Sequence, residues 1–268
     1  MVAPIDLPRG RPRLAAVLQN AGTLIGATNV QNTLGVDREQ ARKTLARWAK
    51  QGWVKRIKAG LYAPVPIDVR TTNQVLDDPW TLVPTLFGDA YVGGWSAAEY
   101  WSLTEQLFRS ILIFTTRPTR QRQQDIQGLP FVTRHISPER MFGLKSVWRG
   151  TTKVQVSSPP RTIIDMLDDP STGGGIRHVS ECLSAYMKSE KSRPRELIEL
   201  GDQLGNRALF KRLGFLLEEL DAEPSLIAAC QERLSSGLAK LDPALSSKKI
   251  LTRWRLRLPA TWRTAERS

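Results

Sequence analysis

The chain has 268 residues, of which 39 are Lys or Arg and 26 are Asp or Glu, giving a formal net charge of +13. This length suits one large or two ordinary domains, and 41% hydrophobic residues are enough for a buried core, which argues against a disordered chain. Residues 1–66 hold 11 Lys and Arg against 3 Asp and Glu, and residues 248–268 hold 7 against 1. Basic blocks at both ends indicate a polyanionic partner such as nucleic acid.

Other classes of protein are disfavoured by the same sequence. It has no apolar run long enough to span a membrane and no apolar signal core at its start, so we expect a cytoplasmic protein without a membrane partner. Cys182 and Cys230 stand in apolar helical contexts and are expected to be buried reduced thiols. His135 and His178 cluster neither with each other nor with the cysteines, so we expect no metal and no cofactor.

The first two elements in chain order are short predicted helices. The first runs from Arg11 to Asn20 and is stopped by Gly22, and the second runs from Thr28 to Leu34. Gly35 permits the tight turn that joins the second and third helices of a helix-turn-helix.

The third predicted helix has the strongest pattern in the chain. Asp37 is a favourable N-cap residue and Gly52 stands where helices usually end. Ala41, Leu45 and Trp48 recur at helical spacing and form a core-facing stripe. The cations that fall mostly on the opposite side are Arg38, Arg42, Lys43, Arg47 and Lys50.

Two β-prone runs follow and flank Lys58, Ala59 and Gly60, which predicts a hairpin. We expect Lys55, Arg56 and Lys58 to point outward from it. Three helices followed by a basic hairpin predict a DNA-binding winged helix-turn-helix over residues 1–66. The N-terminal half of a recognition helix usually reaches base edges, which assigns that role to Arg38, Gln40, Arg42 and Lys43. The candidates for phosphate contacts are Arg47, Lys55, Arg56 and Lys58.

Residues 67–78 are polar and predict a linker, and residues 79–268 predict a larger α+β domain. Strands are expected near residues 90–92, 110–116, 131–136 and 154–156. Helices are expected near 80–87, 96–101, 160–168, 174–188, 194–204, 206–220 and 224–236. Strands that precede a run of helices favour an α+β domain over a parallel α/β sheet.

Two features of this region could signal chemistry. The glycines at 173–175 precede a helix and could bind phosphate, but no P-loop lysine follows, so a flexible helix entry is favoured. Asp165, Asp168 and Asp169 raise the alternative of a metal-dependent nuclease, yet cap and surface roles are favoured for them. We therefore expect no enzymatic activity.

The C-terminal segment 250–258 alternates between apolar residues and arginines. The apolar residues Trp254, Leu256 and Leu258 alternate with Arg253, Arg255 and Arg257, and this period of two predicts one basic strand. A charge-protected edge strand and a second anion-binding surface are both compatible with the pattern.

Four segments together resemble the antitoxins of the abortive-infection AbiE type, which belong to type IV toxin–antitoxin systems. They are Gly52–Tyr62, Tyr91–Ala98, Ser157–Asp165 and Asn206–Glu218. The resemblance implies an N-terminal winged helix that represses its own operon by binding inverted repeats in the promoter. It also implies a C-terminal domain that counters a nucleotidyltransferase toxin, with direct contact between the two proteins left open. Ala59 stands where this family commonly has a second basic residue before the wing glycine.

The motif residues that we assign as candidates for antitoxicity are Arg161, Asp165, Arg212 and Glu218. A buried scaffold of arginines and carboxylates is an equally good explanation of the same residues. The alternative to an antitoxin is a stand-alone transcriptional regulator whose second domain senses a ligand or dimerises. A nucleotidyltransferase-like reading frame beside the gene would favour the antitoxin.

Overall fold

The structure is a computed structural model, and it describes residues 10–21, 24–65, 78–119, 121–126 and 128–262. It confirms the predicted α+β class, because helices accompany one mixed sheet and two smaller ones. Residues 67–77 of the predicted linker and the predicted helix stop at Gly22 lie outside the described residues.

The N-terminal module contains the three predicted helices and the predicted hairpin. The elements are α1 (Arg11–Asn20), β1 (Ile25–Gly26), α2 (Ala27–Leu34), α3 (Arg38–Lys50), β2 (Val54–Lys58) and β3 (Leu61–Pro64). Gly35 has φ 63° at the end of α2 and makes the turn into α3. The sequence analysis missed β1, which pairs with β3 and completes a three-stranded sheet in the order β1-β3-β2.

The next segment builds a six-stranded mixed sheet. A 3-10 turn (Pro79–Leu82) and α4 (Val83–Phe87) precede it. The sheet elements, with one helix between them, are β4 (Ala90–Val92), α5 (Gly94–Tyr100), β5 (Ile111–Thr115), β6 (Gln123–Ile126), β7 (Leu129–His135), β8 (Leu144–Arg149) and β9 (Thr152–Ser157). The strand order is β6-β7-β5-β4-β9-β8, with parallel pairing for β5 with β7 and for β4 with β9. Strands β6 and β8 were not predicted.

Five helices follow and form the largest apolar core with the end of the chain. They are α6 (Pro159–Asp168), α7 (Ile176–Lys188), α8 (Pro194–Leu204), α9 (Arg207–Glu219) and α10 (Pro224–Gln231). Their core includes Ile163, Leu183, Phe210 and Trp254, each with no exposed surface. Helix α10 ends at Gln231, five residues before the predicted end.

The C-terminal segment corrects the prediction of one continuous strand over 250–258. It forms β11 (Ser247–Leu251), a 3-10 turn at 252–254 and β12 (Leu256–Pro259), and β12 lies between β11 and the short β10 (Ala239–Lys240). The chain reverses because Arg255 adopts a left-handed conformation with φ 50°. The predicted faces are nevertheless present, since Trp254 is buried and Arg253 is exposed.

The N-terminal module is in contact with the domain that follows it. Leu24, Ile57 and Ala63 belong to the same buried cluster as Leu82 and Phe131. One side of the β2–β3 hairpin is therefore covered by the second domain, which begins at residue 79, and the tip of the hairpin stays at the surface.

Candidate nucleic-acid interface

Helix α3 begins at an N-cap that fixes which residues occupy its first turn. The side chain of Asp37 accepts a hydrogen bond from the backbone N of Gln40 at 2.8 Å. This bond satisfies one of the free amides at the helix start. Ala41 and Trp48 face the module core and are at most 1% exposed. The remaining sides of the helix are left to solvent.

The predicted base-contacting residues all lie on this exposed surface: Arg38, Gln40, Arg42 and Lys43. Arg47, which we predicted to contact phosphate, is exposed as well. One acidic residue shares the surface, because Glu39 pairs with Lys43 at 2.7 Å. Both side chains of this pair are about three-quarters exposed, so the pair contributes little stability and can open when a phosphate competes for the lysine.

The hairpin extends the basic surface through two of its three predicted cations. Arg56 and Lys58 are exposed, whereas Lys55 is half-buried. The pairing register shifts between Arg56 and Lys58, and Ile57 is buried there. Lys55 pairs with the fully buried Ala63 and shares its side of the hairpin, so Lys55 is less exposed than the other two cations. Arg56 and Lys58 are therefore exposed as expected, and Lys55 only in part.

The antitoxicity candidates Arg161 and Asp165 form a buried ion pair on α6. Arg161 Nε and Asp165 Oδ1 are 2.9 Å apart, and the two side chains are 1% and 4% exposed. Tyr91 Oη donates to Asp165 Oδ2 at 3.1 Å. Arg161 also donates to the carbonyl of Arg140 at 3.2 Å and lies over the ring of Phe142. Burial raises the pKa of Asp165 to about 6, and the contacts to Arg161 oppose that shift.

The other two candidates also hold elements together. Arg212 donates to the carbonyls of Leu167 at 2.8 Å and Lys240 at 3.1 Å, so it ties α9 to α6 and to β10. Glu218 accepts from Trp254 Nε1 at 2.5 Å and pairs with Arg253 at 2.9 Å. Together with the pair on α6, these contacts favour the interpretation of the four residues as a buried scaffold. Their role in antitoxicity stays a prediction.

The other features considered for chemistry have structural partners. Asp168 pairs with Arg140 at 3.2 Å, and Asp169 pairs with Arg134 at 3.0 Å. The carboxylate of Asp242 accepts from the first amide of α7 at 3.0 Å, so an acidic side chain occupies the position a phosphate would take after the glycine run.

Comparisons with known proteins bear on the fold alone. No protein-family model and no curated protein matches the sequence. Among solved structures, the chain is similar to the crystal structure of the RV2827C protein from Mycobacterium tuberculosis. The TM-score is 0.61 at 14% sequence identity, over 92% of this chain and 90% of that one. No helix among the described residues is long and apolar enough to cross a membrane.

Proposed function

We propose that this protein binds double-stranded DNA through α3 and the β2–β3 hairpin, as a winged helix-turn-helix. The observation that carries the proposal is that α3 presents Arg38, Arg42, Arg47 and Gln40 to solvent while its opposite side fills the module core. A helix of 13 residues is about 20 Å long and fits the major groove. Arginine and glutamine there can make bidentate hydrogen bonds to guanine and adenine.

The contacts divide by position along this surface. Arg38, Gln40, Arg42 and Lys43 lie in the first half of the helix and are proposed to reach base edges. Arg47, Arg56 and Lys58 lie farther along the surface and are proposed to contact phosphates, which position the protein without reading sequence. Lys55 is half-buried and is therefore a weaker candidate for a phosphate contact.

The wider proposal is an antitoxin that represses its own operon and counteracts a nucleotidyltransferase toxin through residues 79–268, acting in the cytoplasm. Its support is the resemblance of four segments to the AbiE-type antitoxins. Arg161 and Arg212 are buried, so we do not propose that they touch the toxin. They would act by holding in place the surface of this domain that makes any such contact. A direct contact with the toxin is not required by the proposal.

One double variant, R42Q/R47Q, tests promoter binding and toxin rescue separately. In R42Q/R47Q, binding to a duplex of the protein's own promoter should weaken by on the order of 30-fold or more, because a base-contacting arginine such as Arg42 contributes about 1–3 kcal/mol and Arg47 adds the loss of a phosphate contact. The same variant should still rescue cells from the toxin encoded beside the gene. Point variants suit this better than deletion of residues 1–66, since deletion would uncover the buried cluster that Ile57 and Ala63 share with Leu82.

The matched control is K188Q/R195Q, which removes two exposed cations from α7 and α8. It should bind the promoter like the native protein. R42Q/R47Q binding within twofold of native would contradict the DNA-binding proposal. Loss of rescue by a folded R42Q/R47Q protein would contradict the division of labour between the domains.

A further inference from the structure

A cleft lies where the end of the β2–β3 hairpin meets the second domain. It has a volume of about 560 Å³. Lys58 lines it from the hairpin, and Thr115, Arg117, Thr119, Gln121 and Gln124 line it from the other domain. Its polar side chains thus come from both halves of the chain.

The backbone that carries each cation of the cleft is anchored by the surrounding structure. Lys58 follows Ile57, whose side chain is buried in the cluster that contains Phe87 and Phe131. The backbone N of Arg117 donates to Thr115 Oγ1 at 3.1 Å, just after β5 ends. The guanidinium of Arg117 lies against Gly88, where a Cβ atom would overlap it. Arg117 can pack there because Gly88 has no side chain.

The charge of the cleft is uncompensated within the described part of the chain. Lys58 and Arg117 are both exposed, and neither side chain has an ion-pair partner among the described residues. The described lining contains two cations, hydroxyls and amides and no carboxylate. These are donors suited to phosphate oxygens.

We infer that this cleft receives a phosphate of the DNA backbone, so that Arg117 extends the DNA interface from the winged helix onto the second domain. The inference rests on the proposed function. A DNA phosphate fits better than a free phosphorylated ligand because the cleft is continuous with the hairpin end, which the proposed interface already places on the backbone. Duplex DNA that reaches Lys58 therefore passes Arg117 as well.

The test is the salt dependence of binding by the full chain to a duplex of its own promoter. Each phosphate contact contributes about 0.9 to the slope of log K against log salt, so R117Q should lower the magnitude of the slope by about 0.9. Its affinity deficit should shrink about 3.5-fold between 50 and 200 mM salt. The deficit should be the same on a scrambled duplex, since phosphate contacts carry no sequence information. R117K keeps the charge and should restore the slope.

One control variant and three possible outcomes distinguish failure of this inference from failure of the proposed function. R195Q removes an exposed arginine elsewhere and should leave the slope unchanged. If R117Q keeps the native slope while K58Q and R42Q/R47Q lose affinity, the inference is overturned and the proposed function stands. If R117Q keeps the native slope but loses a thermal stabilisation that inorganic phosphate gives the native protein, the cleft binds a small anion and the inference is likewise overturned. If the native protein does not bind the duplex, both fail together.

Discussion

Replacing Asp165 with alanine removes the carboxylate that pairs with Arg161 inside the C-terminal domain. The Arg161 side chain is 1% exposed and would keep the carbonyl of Arg140, the hydroxyl of Tyr91 and the face of Phe142 as partners. Leaving a buried charge uncompensated costs about 3–5 kcal/mol, a large part of the about 5–15 kcal/mol that stabilises a typical protein. At about 2–4 °C per kcal/mol for a domain of this size, the melting temperature should fall by on the order of 10 °C.

Two matched variants test whether the loss of stability in D165A comes from the uncompensated charge of Arg161. D165N lacks the negative charge but keeps an amide oxygen opposite Arg161 Nε, so it should be destabilised by less than D165A, by about the 1.5–3 kcal/mol of a hydrogen bond to a charged group. R161M/D165L replaces the whole pair with apolar side chains, and it should be more stable than D165A because no buried charge remains. Urea unfolding of the four proteins gives the free energies. A D165A protein that unfolds within about 1 kcal/mol of native, the contribution of one ordinary hydrogen bond, would refute this reasoning.

The same variants address antitoxicity. If Arg161 and Asp165 act only as scaffold, rescue from the toxin should follow stability, so R161M/D165L should rescue cells better than D165A. If a stable double variant fails to rescue, the pair has a direct role in antitoxicity.

Further predictions concern packing and capping. G214A should lose about 1–3 kcal/mol by thermal unfolding, because the new Cβ would overlap the ring of Trp254; a variant as stable as native would contradict that packing. D242A removes the acceptor for the first amide of α7 and should cost about 1–2 kcal/mol, whereas D242N should cost less; equal losses would argue against capping.

The elements with strong local signals could be predicted from the sequence. The cap at Asp37, the stripe through Leu45 and the glycine at 35 specify α3 and its entry without tertiary information. Strand β6 could not be predicted because Gln123 to Ile126 has a polar sequence, and pairing with β7 holds it in place. Strand β1 has only two residues and likewise depends on its partner.

The contacts of the candidate site were harder to predict than its exposed residues. The alternation of the C-terminal segment correctly separates buried from exposed residues, but it carries no signal for the reversal at Arg255. The residue types at Arg161 and Asp165 suggest a pair at helical spacing, whereas the contact to Tyr91 spans 70 or more positions along the chain. Arg117 stands in a segment rich in Arg and Gln, and only the fold brings it beside Lys58.

The most direct test of the DNA-binding account is a titration of the native protein with a duplex of its own promoter at several salt concentrations. The five proposed phosphate-contacting residues are Arg47, Lys55, Arg56, Lys58 and Arg117. About five phosphate contacts predict that log K falls against log salt with a slope near −4.5. Binding that does not change with salt, or no binding at low salt, would contradict the account.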